Sequence, residues 1–171
     1  MKIRTGFVSN SSSSSFVVGF KEVPKTIGQL FDTLFPDKQM IIYNTWGEPT
    51  EISTFTAAVE IFDRLLKNEP LEEEDIALLF KNEYKEGYKF TEENPSFDPY
   101  FKITDREESE KWYENYDKET ERVAALQAKQ LLRENPEMKF FHFEFEDKGP
   151  LAELERGNQF DNLVRVKISN H

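Results

Sequence analysis

A chain of 171 residues without a cysteine has room for one domain of ordinary size, and it carries no disulfide scaffold, Cys zinc site or thiol nucleophile. Two His, seven Gly and a formal charge of −11 argue against a multi-His metal site, a glycine-rich dinucleotide loop and electrostatic binding of nucleic acid. Sixteen Phe supply much of the bulk for a core.

Residues 2–8 (KIRTGFV) and 16–20 (FVVGF) are β-prone and bracket the polar run Ser9, Asn10, Ser11, Ser12, Ser13, Ser14 and Ser15. Lys2 and Arg4 look like the start of a signal peptide, but serines stand where its hydrophobic region belongs. No run of apolar residues is long enough for a transmembrane helix, and a cytoplasmic location is expected. Thr26 and Gln29 form a capping box that opens a helix with Ile27, Leu30, Phe31, Leu34 and Phe35 at helical spacing, and Pro36 stops it. Residues 39–44 read as a buried strand, and Trp46 to Pro49 as a turn. A second helix is predicted over 53–67, with Phe55, Val59, Phe62 and Leu66 as its apolar stripe. A third is predicted from Pro70 to about Lys85, with Ile76, Leu79, Phe80 and Tyr84 inward.

Residues 87–103 have no period and hold five aromatics and two prolines, as in a binding loop. Thr104 and Glu107 read as another capping box. It opens a long, charged helix to about Glu134 whose thin apolar pattern is Trp112, Tyr116, Val123, Leu126 and Leu131. Residues 139–147 alternate strictly, with Phe141, Phe143 and Phe145 on one face and His142, Glu144 and Glu146 on the other. Residues 150–157 suggest a short helix, and 163–169 a strand with Val164, Val166 and Ile168 inward and Arg165 and Lys167 outward. Together these elements predict a single α+β domain over 1–171. It has a four- to five-stranded, largely antiparallel sheet and three to four helices packed mainly on one face.

The charge is not spread evenly. Residues 69–121 carry 18 acidic against 7 basic side chains, a net −11, and the remaining 118 residues sum to zero. Within this segment Glu72, Glu73, Glu74, Asp75, Glu92, Glu93, Glu107 and Glu108 are candidates for an acidic surface that docks a basic protein partner. The plainer account is solvated helix faces, with negative charge favoured at helix N-termini.

Candidate chemistry is sparse. His142, Glu144 and Glu146 share a strand face and are the acid/base or metal candidates. Arg165 and Lys167 on a paired strand would turn that row into an ordinary surface charge ladder. The chain has no nucleophile-elbow, Walker, dinucleotide or zincin motif, and no cofactor or metal is expected. The serine run has three readings: a flexible linker, a recognition or modification handle, or an anion-binding nest.

The opening MKIRTGFVSNSSSSSFVVGF resembles the shared N-terminus of a scattered group of uncharacterised bacterial and bacteriophage proteins. These begin with one or two basic residues and a near-identical F-V-S-N-S-S-S-S-S-F, here Phe7 to Phe16. The ending PLAELERGNQFDNLVRVKISNH is similar to endings in that group, where His is common; Asn170 stands at one such position beside His171. The resemblance implies a bacterial or phage origin and a cytoplasmic setting, and it carries no enzyme activity with it. A leader shared by otherwise different proteins implies a handle read by common machinery.

The expected function is therefore a non-enzymatic binding protein linked to phage or mobile elements. It would engage a basic protein through residues 69–121, without direct nucleic-acid or membrane binding. The rival is a small phosphate- or nucleotide-binding enzyme that uses the serine-rich loop, and a third reading is nucleic-acid mimicry.

Overall fold

The structure, a computed structural model, describes residues 13–37, 40–45, 48–86, 105–146, 154 and 158–170. Two compact units divide the chain: residues 1–69 with 141–171, and the inserted stretch 70–140.

The first unit is built on β1 (Ser13–Phe20), which begins inside the serine run rather than after it. It lies between β4 (Lys139–Glu146) and β5 (Val164–Asn170) in a three-stranded sheet of order β4-β1-β5. β1 and β5 are antiparallel, from Ser14 opposite Asn170 to Gly19 opposite Val164. The ring pairs Phe16–Phe145 (6.2 Å) and Phe20–Phe141 (5.9 Å) show that β1 and β4 also run in opposite directions. A separate antiparallel hairpin joins β2 (Met40–Thr45) to β3 (Glu48–Ser53). The described strands thus number five, in sheets of three and two, where the sequence suggested one sheet of four to five. Residues 48–49, expected in a turn, open β3, and Pro49 is tolerated because a hairpin strand need not donate from every N–H.

Alternation places Phe16, Val18 and Phe20 of β1 and Phe141, Phe143 and Phe145 of β4 on one face. Phe160, in a short 3-10 turn (Asn158–Phe160), closes the cluster, 5.2 Å from the Phe143 ring and 5.8 Å from the Phe16 ring. Half of the sixteen Phe are in this core. Each such ring pair is worth about 0.5–1.5 kcal/mol beyond its area burial.

Two helices join that core. α1 (Ile27–Leu34) starts as expected: Thr26 Oγ1 accepts from the Gln29 N–H, and Gln29 Oε1 accepts from the Lys25 N–H (2.8 Å), one residue earlier than a standard capping box. α2 (Thr54–Lys67) is capped by Ser53. Its buried stripe is Ala57, Ala58, Ile61, Phe62 and Leu65, whereas Phe55 and Leu66 are 56% and 67% exposed. Of the expected stripe Phe62 is buried and Val59 half-buried, and the buried face is centred on the two alanines, which a reading of large side chains passes over.

The second unit holds α3 (Glu73–Glu86) and α4 (Arg106–Glu134). α3 starts three residues after Pro70. Glu72 caps it: its carbonyl accepts from the Ile76 N–H, and Asp75 Oδ2 accepts from the Glu72 N–H. Asp105 caps α4 by accepting from the N–H groups of Glu107 and Glu108; Thr104, the expected cap, lies outside the described residues. Lys81 bonds both Asp117 (3.2 Å) and Glu121 (2.6 Å), and the Tyr116 hydroxyl donates to the Tyr84 carbonyl (2.7 Å), so α3 and α4 are antiparallel. The buried positions of α4 are Thr120, Ala124 and Ala128, spaced by four, and Leu126 is exposed. Small side chains let a helix bury a stripe that hydropathy does not show.

The ring cluster should dominate the stability of the first unit. Phe143→Ala is expected to cost about 3–5 kcal/mol, seen as a lower urea midpoint. A loss below about 1 kcal/mol would show that the cluster is loosely packed.

Candidate functional site

The serine run divides at residue 13. Ser9, Asn10, Ser11 and Ser12 lie outside the described residues, whereas Ser13, Ser14 and Ser15 belong to the central strand. Those three are therefore neither linker nor loop. Ser14 has the parity of Phe16 and is completely buried. Ser15 has the parity of Val17 and points to the opposite face.

On that face Ser15 Oγ is 3.1 Å from His142 Nε2, across 127 residues of sequence. Burial lowers the His142 pKa from its ordinary value, against a smaller opposing pull from the Glu144 carboxylate. The imidazole is thus neutral at pH 7, and with its proton on Nδ1 its Nε2 accepts from the serine hydroxyl. Next to this contact the β1–β5 register shifts between Ser15 and Phe16, leaving Ile168 as the extra residue of β5. Such bulges redirect side chains and are common beside functional sites.

The charge ladder expected from β4 and β5 does not form. β1 separates the two strands, and Arg165 and Lys167 lie opposite Val18 and Phe16, on the other face from His142 and Glu144. Lys167 Nζ stands 5.6 Å from the Phe16 ring centre, and Arg165 pairs with Asp161 at 2.7 Å. Glu144 is exposed, and Glu146 ends β4. Among the described residues no group of three potential ligands is placed to hold a metal ion.

The outer edge of β4 is sealed by side chains from α2. Asn68 Nδ2 donates to the His142 carbonyl (2.7 Å), and Arg64 Nη1 donates to the Glu144 carbonyl. Arg64 also pairs with Glu60 (2.9 Å) and lies over the Phe145 ring. Blocking an edge in this way prevents further strand addition. Arg64, Lys67, Asn68, His142, Phe143 and Glu144 line a small open cleft of about 220 Å³. It falls below the roughly 300–1,000 Å³ of drug-sized ligand sites and would suit only a small group. The α2 residues were missed in the sequence because Arg64 and Lys67 look like ordinary last-turn cations.

The acidic candidates do not form one patch. Glu72, Glu73, Glu74 and Asp75 surround the start of α3, and Glu107 and Glu108 lie in the first turn of α4. Since the helices are antiparallel, a rise of 1.5 Å per residue separates the two groups by roughly 27 Å along the axis. Glu107 pairs with Lys111 (2.8 Å), whereas Glu73, Glu74 and Glu108 are exposed and make no ion pair among the described residues. Glu92 and Glu93 lie outside the described residues, as do the aromatic stretch 87–103 and His171.

No protein-family model matches the chain, and neither a curated protein nor a solved structure shows significant similarity to it. No helix among the described residues is long and apolar enough to cross a membrane.

Two outcomes test this geometry. The unfolded chain protonates its imidazole near the ordinary value of 6.5, and the folded chain does so only at lower pH. Folding stability should thus be full above that value and fall as pH drops below it, and His142→Gln should flatten this part of a stability–pH curve. Ser14→Glu would bury a charge in the central strand. A loss of about 3 kcal/mol or more is expected in thermal unfolding, and tolerance of the change would contradict the burial.

Proposed function

We propose that this chain is a binding protein whose inserted helical pair engages a basic protein partner, with the leader upstream of β1 as a recognition handle. One observation carries the reading. Glu73, Glu74 and Glu108 stand exposed at helix starts without ion pairs among the described residues, while Asp117 and Glu121 are used up by Lys81. An acidic surface of this kind speeds encounter with a basic partner and discriminates against acidic ones. Two groups set about 27 Å apart favour a partner with an extended basic surface over one with a compact basic knob. A cytoplasmic setting and a phage or mobile-element link belong to the same proposal and draw support from the leader's resemblance alone.

The test separates charge from fold. Glu73→Lys, Glu74→Lys and Glu108→Lys should lower stability only modestly, by about 0.3–1 kcal/mol each for the lost favourable charge at a helix start, because these groups are exposed and cap nothing with their side chains. The triple variant should lose partners that the wild-type protein captures from its native host at low salt. Capture equal in wild type and variant, or unaffected by high salt, would reject the reading.

A further inference from the structure

We propose that Ser15 is a covalent modification site, an acyl-accepting hydroxyl for which His142 is the general base. The geometry has the two parts such a site needs. Nucleophile and base lie at hydrogen-bond distance, 3.1 Å between Ser15 Oγ and His142 Nε2. They are held on two neighbouring strands of one sheet, so the pair is fixed by the ladder and not by a loop. The site does not depend on the acidic helical pair, and either proposal can fail without the other.

Two further features fit. The β-bulge beside Ser15 sets the strand path at the nucleophile. His142 is neutral at pH 7, as a base must be; the charged groups around it are Glu144 on its own strand and Arg64 and Lys67 on α2.

The donor class is a carboxylic acyl group on a good leaving group, an ester or thioester. Ser15 Oγ attacks the carbonyl carbon and the new O–C bond forms. The bond to the leaving oxygen or sulfur breaks, and the serine proton passes to His142 Nε2 and then to the departing group. The product is an ester on Ser15, and nothing is oxidised or reduced.

p-Nitrophenyl acetate is the probe. The folded protein should release p-nitrophenolate in a burst of one equivalent, with the acetyl group mapped to Ser15 by peptide mass spectrometry. Ser15→Ala should abolish the burst, and His142→Gln should slow it about 100-fold or more, the lower range for a lost general base. A second variant guards against misfolding in the first. The chain has no cysteine, so Ser15→Cys carries a single thiol. Paired with His142, that thiol should react with iodoacetamide well below the usual thiol pKa of about 8.5, and adding His142→Gln should remove this reactivity. Absence of a burst, acetylation spread over other serines, or thiol reactivity unchanged by His142→Gln would each overturn the assignment.

Discussion

The first unit depends on the pairing of one strand with two partners from the far end of the chain. β1 is central, and both β4 and β5 lie more than a hundred residues downstream. Neither of its edges is satisfied until the C-terminal strands arrive, and until then the core-facing side chains of β1 lack the rings of β4 and of Phe160. The entropy of closing so long a loop grows only slowly with length, which lets an inserted unit occupy the interval at modest cost. Closure must still precede the contacts that reward it, and such topologies fold slowly.

Phenylalanine is what makes that closure favourable. Phe16 and Phe20 from β1, Phe141, Phe143 and Phe145 from β4, and Phe160 before β5 supply rings from every strand region of the sheet. A short three-stranded sheet has little area per strand, and large flat side chains bury the most of it per residue. α2 adds to the same arrangement twice. Its small residues Ala57 and Ala58 are buried in the core, and its last-turn Arg64 and C-cap Asn68 seal the outer carbonyls of β4. The edge that would otherwise invite another strand is thereby satisfied within the chain.

Much of this was legible in the sequence where the signal was local. The Thr26 cap, the helix that Ser53 caps and the alternating Phe strand follow from side-chain chemistry a few residues apart. The shift to acidic composition at residue 69 falls at the unit boundary near Pro70. What failed was the reading of small side chains and of long-range order. Ala57, Ala58, Thr120, Ala124 and Ala128 carry packing that a hydropathy stripe assigns to Phe55, Leu66 and Leu126. Strand order is not written in any one strand, so Arg165 and Lys167 were placed across from His142 when β1 in fact separates them. The Ser15–His142 contact was out of reach for the same reason, although both residues stood among the candidates for separate causes.

The serine run shows how one composition conceals two physical environments. Low-complexity serine suggests a solvated linker because serine alone gives no burial term. A strand with bulky partners on both sides can still begin with serines, since a small side chain fits where the ring cluster ends and a hydroxyl can be satisfied within the sheet. Period-two alternation then separates neighbours: Ser14 faces the side of Phe16 and is buried, and Ser15 faces the side of Val17 and meets His142. Any modification of the folded protein must therefore discriminate between adjacent, chemically identical hydroxyls. The sheet makes that choice by geometry, because Ser14 is completely buried, whereas Ser15 has His142 beside it and partial access to solvent.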